Sequence, residues 1–214
     1  MSKTKVLLEI YQKMLNSFGQ QKWWPGETPF EVIIGAILTQ NTNWSNVEKA
    51  IRNLRTARKL SPKAIHELDI TELSGLIKPS GFFNIKARRL KSFINWLFLK
   101  YEGNLSKLFA QDLQTLRNEL MAVKGIGPET ADSILLYAGN QPTFVVDAYT
   151  HRIFSRHGFI PEESSYDEIK SFFEDNLPKD VKLYNEYHAL LVKIGKIFCK
   201  PKKNCEECPL KDFL

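Results

Sequence analysis

The stretch that decides the fold of this chain is Lys124-Gly125-Ile126-Gly127-Pro128-Glu129-Thr130-Ala131. Its two glycines can adopt backbone angles that other residues avoid, and they leave room for a phosphate to come close. Pro128 suits the first turn of a helix that follows. The stretch therefore predicts two helices joined by a tight turn whose amides bind an anion. The alternative interpretation is an ordinary glycine stop at the end of a helix.

A single carboxylate follows this hairpin one helix later, in Val145-Val146-Asp147. An ionised carboxylate can stabilise a sugar that becomes positively charged when its bond to a base breaks. Asp147 could also cap a helix that begins at Ala148, which is a common role for Asp and is compatible with the first. The spacing to the hairpin favours a nucleic-acid backbone held beside a catalytic acid, with Asp147 as the catalytic residue.

The composition indicates a globular protein, and its charge is compatible with a polyanionic partner, although many basic proteins bind no nucleic acid. Of the 214 residues, 43% are hydrophobic, which is enough for a real core, and the net charge is +6. No stretch approaches the roughly 20 apolar residues that a membrane span needs, and the first residues do not form a signal core. We expect a monomeric, cytoplasmic and nucleoid-associated protein without a membrane partner.

The spacing of apolar residues predicts an all-α fold. Such residues recur every three or four positions through most of the chain, as in Leu90, Phe93, Ile94 and Leu97. Alternating runs long enough for a sheet are missing, and breakers such as Gly139-Asn140-Gln141-Pro142 separate the periodic segments. The predicted helices cover residues 4–18, 28–40, 43–57, 61–67, 70–77, 83–101, 111–121, 128–138, 147–157, 166–176 and 182–198.

Four motifs occur in the order found in the helix-hairpin-helix-GPD, or endonuclease III, superfamily of DNA glycosylases, which the chain resembles. In chain order they are Leu38-Thr39-Gln40-Asn41-Thr42, the hairpin, Val146-Asp147 and the C-terminal cysteines. Within the superfamily, the likeness is greatest to the 3-methyladenine DNA glycosylase III branch. That likeness rests on Trp23-Trp24-Pro25, the segment 35–42, Pro79-Ser80-Gly81-Phe82-Phe83-Asn84, and Lys124-Gly125-Ile126-Gly127 with Glu129.

The resemblance implies two helical lobes with double-stranded, damaged DNA bound across the cleft between them. A six-helix barrel would cover residues 22–141 and contain the helix-hairpin-helix at 112–138. The second lobe would combine residues 1–21 and 142–214 and end in a cysteine-rich loop at 199–208.

The resemblance also implies which residues contact DNA. The hairpin would grip phosphates, with an alkali cation held by its carbonyls, and Gln40 would fill the gap left by an extruded nucleotide. The other residues expected on DNA are Asn84, Lys86, Lys124, Gly125, Gly127 and Thr130. We interpret Phe82 and Phe83 as core residues.

Glu129 stands where superfamily members that also cut the DNA strand have a lysine. That lysine attacks the sugar and forms a Schiff base, which a carboxylate cannot do. The resemblance therefore implies a monofunctional glycosylase with water as the nucleophile and without lyase activity. A plain first-turn acid, favoured by the helix dipole, is the alternative role for Glu129.

The base pocket predicted from the resemblance consists of Trp23, Trp24, Trp44 and Glu129. A purine methylated at a ring nitrogen is positively charged, and aromatic faces with a nearby carboxylate select cations. We therefore expect removal of alkylated purines, chiefly 3-methyladenine, although two of the tryptophans could instead be core residues. The alternatives are a glycosylase for mismatched thymine or uracil or for oxidised pyrimidines, and a DNA-binding module without chemistry.

The three cysteines near the C-terminus and the four histidines are the remaining candidate metal ligands. Cys199, Cys205 and Cys208 favour a metal over disulfides and resemble the iron-sulfur loop of endonuclease III, but Leu214 stands where the fourth ligand is expected. A [4Fe-4S] cluster with an exogenous fourth ligand and a decayed site both stay open. The histidines show no metal-ligand spacing and are interpreted as surface or packing groups: His66, His151, His157 and His188.

Overall fold

The computed structural model describes residues 2–21, 23, 26–202 and 204–213. Across these ranges the chain is helical and contains no β-strand, as the apolar spacing predicts. Short 3₁₀ helices lie at Lys78–Ser80 and Lys211–Phe213. The α-helices are α1 (Lys3–Phe18), α2 (Pro29–Leu38), α3 (Trp44–Thr56), α4 (Pro62–Glu67), α5 (Ile70–Leu76), α6 (Phe83–Tyr101), α7 (Leu105–Phe109), α8 (Leu113–Ala122), α9 (Pro128–Ser133), α10 (Ala148–Arg156), α11 (Tyr166–Glu174) and α12 (Val181–Ile197).

Polar caps set the beginnings of most of these helices. Asn43, for example, accepts a hydrogen bond from the Asn46 amide and starts α3. Two predictions from the sequence differ from the structure. The helix predicted over 128–138 changes at Ile134 into a π-helical turn that runs to Ala138. The five-residue α7, capped by Asn104, was missed because it is too short to show an apolar period.

The chain divides into two compact units. One, the continuous unit, is Trp24–Gly139, and the other, the split unit, combines Met1–Trp23 with Asn140–Leu214. The predicted lobe boundaries at 22 and 141 fall two residues outside the observed ones. No helix in the described ranges is both long and apolar enough to cross a membrane.

The core of the continuous unit surrounds α2, in which every residue from Phe30 to Leu38 is buried. This explains why the helix reads as an almost unbroken apolar run. Two helices of the unit, α8 and α9, are joined by a buried ion pair in which Arg117 Nε lies 2.9 Å from Asp132 Oδ1 and Nη2 lies 3.1 Å from Oδ2. A bidentate pair of this kind fixes the angle between the two helices.

The split unit is built around an aromatic cluster. Phe144 stacks on Phe173 with ring centroids 4.0 Å apart, and the Tyr187 hydroxyl donates to the Leu7 carbonyl at 3.0 Å. The contact between α10 and α12 is close, since a Cβ added at Gly195 would lie 2.2 Å from the Tyr149 ring. This packing holds the first turn of α10 against the buried face of α12.

Candidate active site and DNA-binding elements

The predicted hairpin is present as α8, a turn at 123–127, and α9. Gly125 has φ +94°, a region that residues with a side chain rarely adopt. Gly127 instead has φ −96° and ψ 178°, which is ordinary extended backbone, so it does not use the conformational freedom of glycine. Gly127 is exposed and a Cβ there would meet open space, and Lys124 beside it is also exposed.

Gln40 is half-buried, and its side chain is engaged with this hairpin. Its Nε2 donates to the Gly125 carbonyl at 3.1 Å and to Thr130 Oγ1 at 3.0 Å, and its Oε1 accepts from the Arg89 guanidinium. Thr130 is only 7% exposed, so its side chain supports Gln40 rather than facing DNA. The Gly125 carbonyl, one of those expected to hold an alkali cation, thus already accepts one hydrogen bond.

The structure corrects the prediction that Lys86 contacts DNA. Its side chain is 1% exposed, and its ammonium donates to the Leu38 carbonyl at 2.8 Å and to the Ser80 carbonyl at 2.6 Å. The sequence showed a lysine in a basic helix start, but the helical period turns this position towards α2. Burial, and then the nearby charge of Arg89, lower the pKa of Lys86 to about 8.

The turn before α6 also differs from its prediction. Phe82, expected in the core, is 67% exposed and has φ +45°, so it stands out at the start of the helix. Phe83 does pack against the core, and Asn84 is exposed as expected of a residue that contacts DNA. An exposed aromatic side chain in a constrained turn can stack on a base or enter a base step.

The structure places the residues predicted for the base pocket in both units. Trp44 begins α3, packs partly against the core of the continuous unit, and donates from its indole nitrogen to Glu48 at 2.9 Å. Glu129 is exposed in the first turn of α9. Trp23 belongs to the split unit, where its ring meets His188 edge-on at 6.5 Å between centroids. Trp24 lies outside the described residues.

Asp147 is the N-cap of α10 and is largely enclosed, with a side chain 13% exposed. Its Oδ1 accepts from the Thr150 amide at 2.7 Å and from Thr150 Oγ1 at 3.0 Å. Its Oδ2 lies 3.5 Å from His188 Nε2, and this contact is an ion pair when His188 is protonated. Burial opposes the charge, but the hydrogen bonds and charge from His188 and the bonds from Thr150 outweigh it and lower the pKa of Asp147. The carboxylate is thus ionised and fixed in orientation.

His188 is the residue that the sequence analysis missed. Treated as a surface or packing group, it lies on the buried face of α12, 5% exposed, beside the catalytic candidate. The two residues are 41 positions apart in the sequence, so no local pattern indicates that they are paired. The sequence does contain one signal of this role. His188 directly precedes the apolar run Ala189–Val192, which predicts a buried position, and a buried imidazole requires a polar partner.

The lowered pKa of Asp147 predicts a loss of stability in acid. A carboxyl whose pKa is lower in the folded than in the unfolded chain, where it is about 3.9, contributes stability above that value and loses it as the pH falls through the folded pKa. We expect the wild type to lose more unfolding free energy than Asp147→Asn between pH 5 and about pH 2. Urea unfolding of both proteins across this range measures the difference, and parallel pH curves would contradict the assignment.

The three cysteines line one small cavity of about 20 Å³ together with Arg156 and His157. Arg156 Nη1 donates to Cys199 Sγ at 3.4 Å and to the Lys200 carbonyl at 2.7 Å, so an arginine already occupies one side of the thiol cluster. In the described ranges, no three His, Cys, Asp or Glu residues are arranged to hold a metal ion. Leu214 lies outside those ranges and has no ligand atom in its side chain. The described residues thus supply three thiols at this site, one fewer than the four ligands that a four-iron cluster takes.

Comparison with known proteins gives consistent matches along the chain. Residues 34–179 match the family described as HhH-GPD superfamily base excision DNA repair protein. The "Putative DNA repair glycosylase MJ1434" of Methanocaldococcus jannaschii is 50% identical over 214 residues, covering 99% of this chain and 97% of that protein. Endonuclease III of Thermotoga maritima is 31% identical over 185 residues, covering 86% and 81%.

A solved structure shows the same fold. The crystal structure of H. pylori 3-methyladenine DNA glycosylase (MagIII) bound to 1,N6-ethenoadenine superposes with a TM-score of 0.78 at 29% identity, covering 92% of this chain and 98% of that one. The predicted all-helical fold and the predicted family are both confirmed. The chain belongs to the HhH-GPD superfamily of base excision DNA repair proteins, as a DNA glycosylase related to endonuclease III.

Proposed function

We propose that this DNA glycosylase hydrolyses the bond between deoxyribose and a flipped-out alkylated purine, chiefly 3-methyladenine. The observation that carries the proposal is Asp147, an ionised and largely enclosed carboxylate oriented by Thr150 and His188. A fixed negative charge of this kind stabilises positive charge that develops on a sugar more than water does. Because the Asp147 carboxylate is already oriented, the site does not have to reorganise as the bond breaks.

The chemistry follows from this charge. The damaged nucleotide must first leave the base stack. As the bond from C1′ to the base nitrogen breaks, its electron pair goes to the cationic base, which leaves neutral, and the sugar becomes an oxocarbenium ion opposite Asp147. Water then adds to C1′ and its proton passes to solvent. His188 holds the Asp147 carboxylate in place throughout.

The hairpin and its neighbours supply the grip on the DNA backbone in this proposal. Lys124 and Gly127 are exposed at the turn, and Asn84 is exposed at the start of α6. A missing side chain at Gly127 lets a phosphate approach the backbone amides, and Lys124 adds positive charge. Phe82 adds an exposed ring that could stack on a base.

The position of Glu129 supports hydrolysis without strand cleavage. An imine with the sugar requires an amine, and this exposed side chain in the first turn of α9 offers a carboxylate. Lys124 is the nearest lysine in sequence, but it lies in the turn between the two helices of the hairpin. Water is therefore the nucleophile in the proposed reaction.

The preference for alkylated purines rests on cation recognition by an aromatic face and a carboxylate, which Trp44 and Glu129 supply in the continuous unit. The likeness to MagIII, solved with ethenoadenine, favours a purine. A second candidate is the removal of mismatched thymine or uracil or of oxidised pyrimidines. It is favoured by the hydrogen bond between the Trp44 indole and Glu48, which places polar atoms at the start of α3 that could read a neutral base.

Base release from a panel of duplexes separates the two candidates. We expect faster release from DNA containing 3-methyladenine than from DNA containing mismatched uracil or an oxidised pyrimidine. Trp44→Ala and Glu129→Gln should each lower the methylated-base rate about tenfold, since a cation–π contact is worth roughly 0.5–2 kcal/mol. Glu72→Gln removes another exposed first-turn acid, in α5, and should leave the rate unchanged. Pyrimidine release that dominates and survives both pocket substitutions would establish the second candidate.

A further inference from the structure

We propose that Lys86 and Arg89, one turn apart on α6, are positioning residues that hold the Gln40 loop, the Phe82 turn and the hairpin in one fixed arrangement. The Gln40 loop is defined here as residues 39–42 and the Phe82 turn as residues 81–84. This inference rests on the proposed function in taking these three elements as the parts of the continuous unit that contact DNA, and its test uses the expectation that Gln40 fills the gap left by the extruded nucleotide.

Lys86 joins the first two elements. Its ammonium donates to the carbonyl of Leu38, the last residue of α2, and to the carbonyl of Ser80, directly before the Phe82 turn. A cation at a helix C-terminus satisfies a carbonyl that has no partner within the helix and complements the helix dipole. One side chain therefore fixes where the Gln40 loop leaves α2 and where the Phe82 turn begins.

Arg89 joins the Gln40 loop to the hairpin. Its guanidinium donates to Gln40 Oε1, and the amide nitrogen of Gln40 donates onward to the Gly125 carbonyl and to Thr130. The aliphatic part of Arg89 lies directly over the hairpin, because a Cβ added at Gly125 would be 2.3 Å from Arg89 Cγ. Gln40 is thus held between the arginine and the turn.

The burial of these cations separates them from ordinary phosphate-binding residues. Lys86 is almost fully enclosed, and Arg89 is half-buried. Burying a lysine charge is costly, and the lowered pKa of Lys86 reflects that cost. The exposed residues Phe82, Asn84 and Lys124 lie on the segments that the two cations connect. The pair therefore organises the surface that contacts DNA without itself forming it.

The test uses a duplex that contains a tetrahydrofuran abasic analogue opposite 2-aminopurine, so no base release is required. Fluorescence of the 2-aminopurine reports its stacking when Gln40 enters the gap, and anisotropy of a labelled duplex reports affinity. We expect wild-type binding to change the fluorescence, and Gln40→Ala and Arg89→Ala to abolish the change and lower affinity about tenfold. Arg88→Ala removes the same charge from an exposed neighbour and should keep the fluorescence change.

A variant that carries both Arg89→Ala and Gln40→Ala tests whether Arg89 acts through Gln40. If Arg89 works by holding Gln40, then Arg89→Ala with Gln40→Ala should bind within about twofold of either single variant. Effects that multiply in the double variant, an Arg89→Ala phenotype equal to that of Arg88→Ala, or a wild type that binds without a fluorescence change would overturn the proposal. Base release from the panel of damaged duplexes tests the proposed function independently of this result.

Lys86→Met tests the role of Lys86 as a positioning residue. Removing the buried charge relieves its desolvation but leaves the Leu38 and Ser80 carbonyls without this donor, so we expect the variant to fold with a moderately lower Tm. The fluorescence change and the affinity should nevertheless fall as they do in Arg89→Ala. Unaltered affinity and fluorescence in a folded Lys86→Met protein would overturn the role assigned to Lys86.

Discussion

Asp147→Asn is expected to lower the single-turnover rate of base release about 10³-fold while leaving DNA affinity within about twofold of the wild type. The amide has nearly the same shape as the carboxylate and is an equally good N-cap, so α10 should keep its first turn. It lacks the negative charge that stabilises the oxocarbenium ion. Rapid-quench release of the damaged base, with anisotropy for affinity, measures both quantities.

Asp180→Asn is the matched control for this substitution. Asp180 caps α12 through a hydrogen bond from the Leu183 amide at 2.7 Å, much as Asp147 caps α10. Its replacement should change neither rate nor affinity. A rate for Asp147→Asn within tenfold of the wild type would remove Asp147 from the chemistry, and equal losses in both variants would point to helix capping alone.

Gly125→Ala is expected to lower the unfolding free energy by about 2–5 kcal/mol. The added Cβ would lie 2.3 Å from Arg89 Cγ, and the backbone would have to keep φ +94° with a side chain present. Left-handed backbone costs an ordinary residue about 1–2 kcal/mol, and overpacking adds about 1–3 kcal/mol. For a chain of this size the fall in Tm should be about 5–15 °C by calorimetry.

Gly127→Ala separates backbone strain from the mere presence of alanine in the hairpin. Its φ of −96° is ordinary, and a Cβ there meets nothing within 4 Å. We expect its Tm to stay within about 2 °C of the wild type, because surface substitutions away from such features change stability by about 0.5 kcal/mol or less. Equal Tm losses in both variants would show that the turn geometry assigned to Gly125 is wrong.

Local chemistry explains why so much of the helical fold could be predicted from the sequence. The apolar period of α6 and polar caps such as Asp112 act over a few residues, so the helix positions follow directly. The hairpin was predictable for the same reason, since glycine and proline restrict a turn wherever they occur. The spacing of Asp147 to the hairpin led to the prediction that it is catalytic, which stays a prediction, and the structure confirms the other role predicted for it, as the N-cap of α10.

The residues that could not be predicted depend on contacts across long sequence separations. His188 reaches Asp147 because α12 packs closely against α10, where Gly195 lies against the Tyr149 ring. Lys86 reads as an exposed base in a basic segment until α2 is known to lie beside it. Phe82 was assigned to the core by its hydrophobicity, yet the left-handed backbone at this position turns its ring outward.

Incubation of the protein with duplex DNA carrying one 3-methyladenine, with and without borohydride, tests the central claim most directly. Hydrolysis directed by Asp147 predicts free 3-methyladenine and an intact strand that breaks only after alkali. It also predicts that borohydride traps no protein on the DNA, because Glu129 cannot form an imine. Absence of released purine, or a protein–DNA adduct trapped by borohydride, would contradict the account.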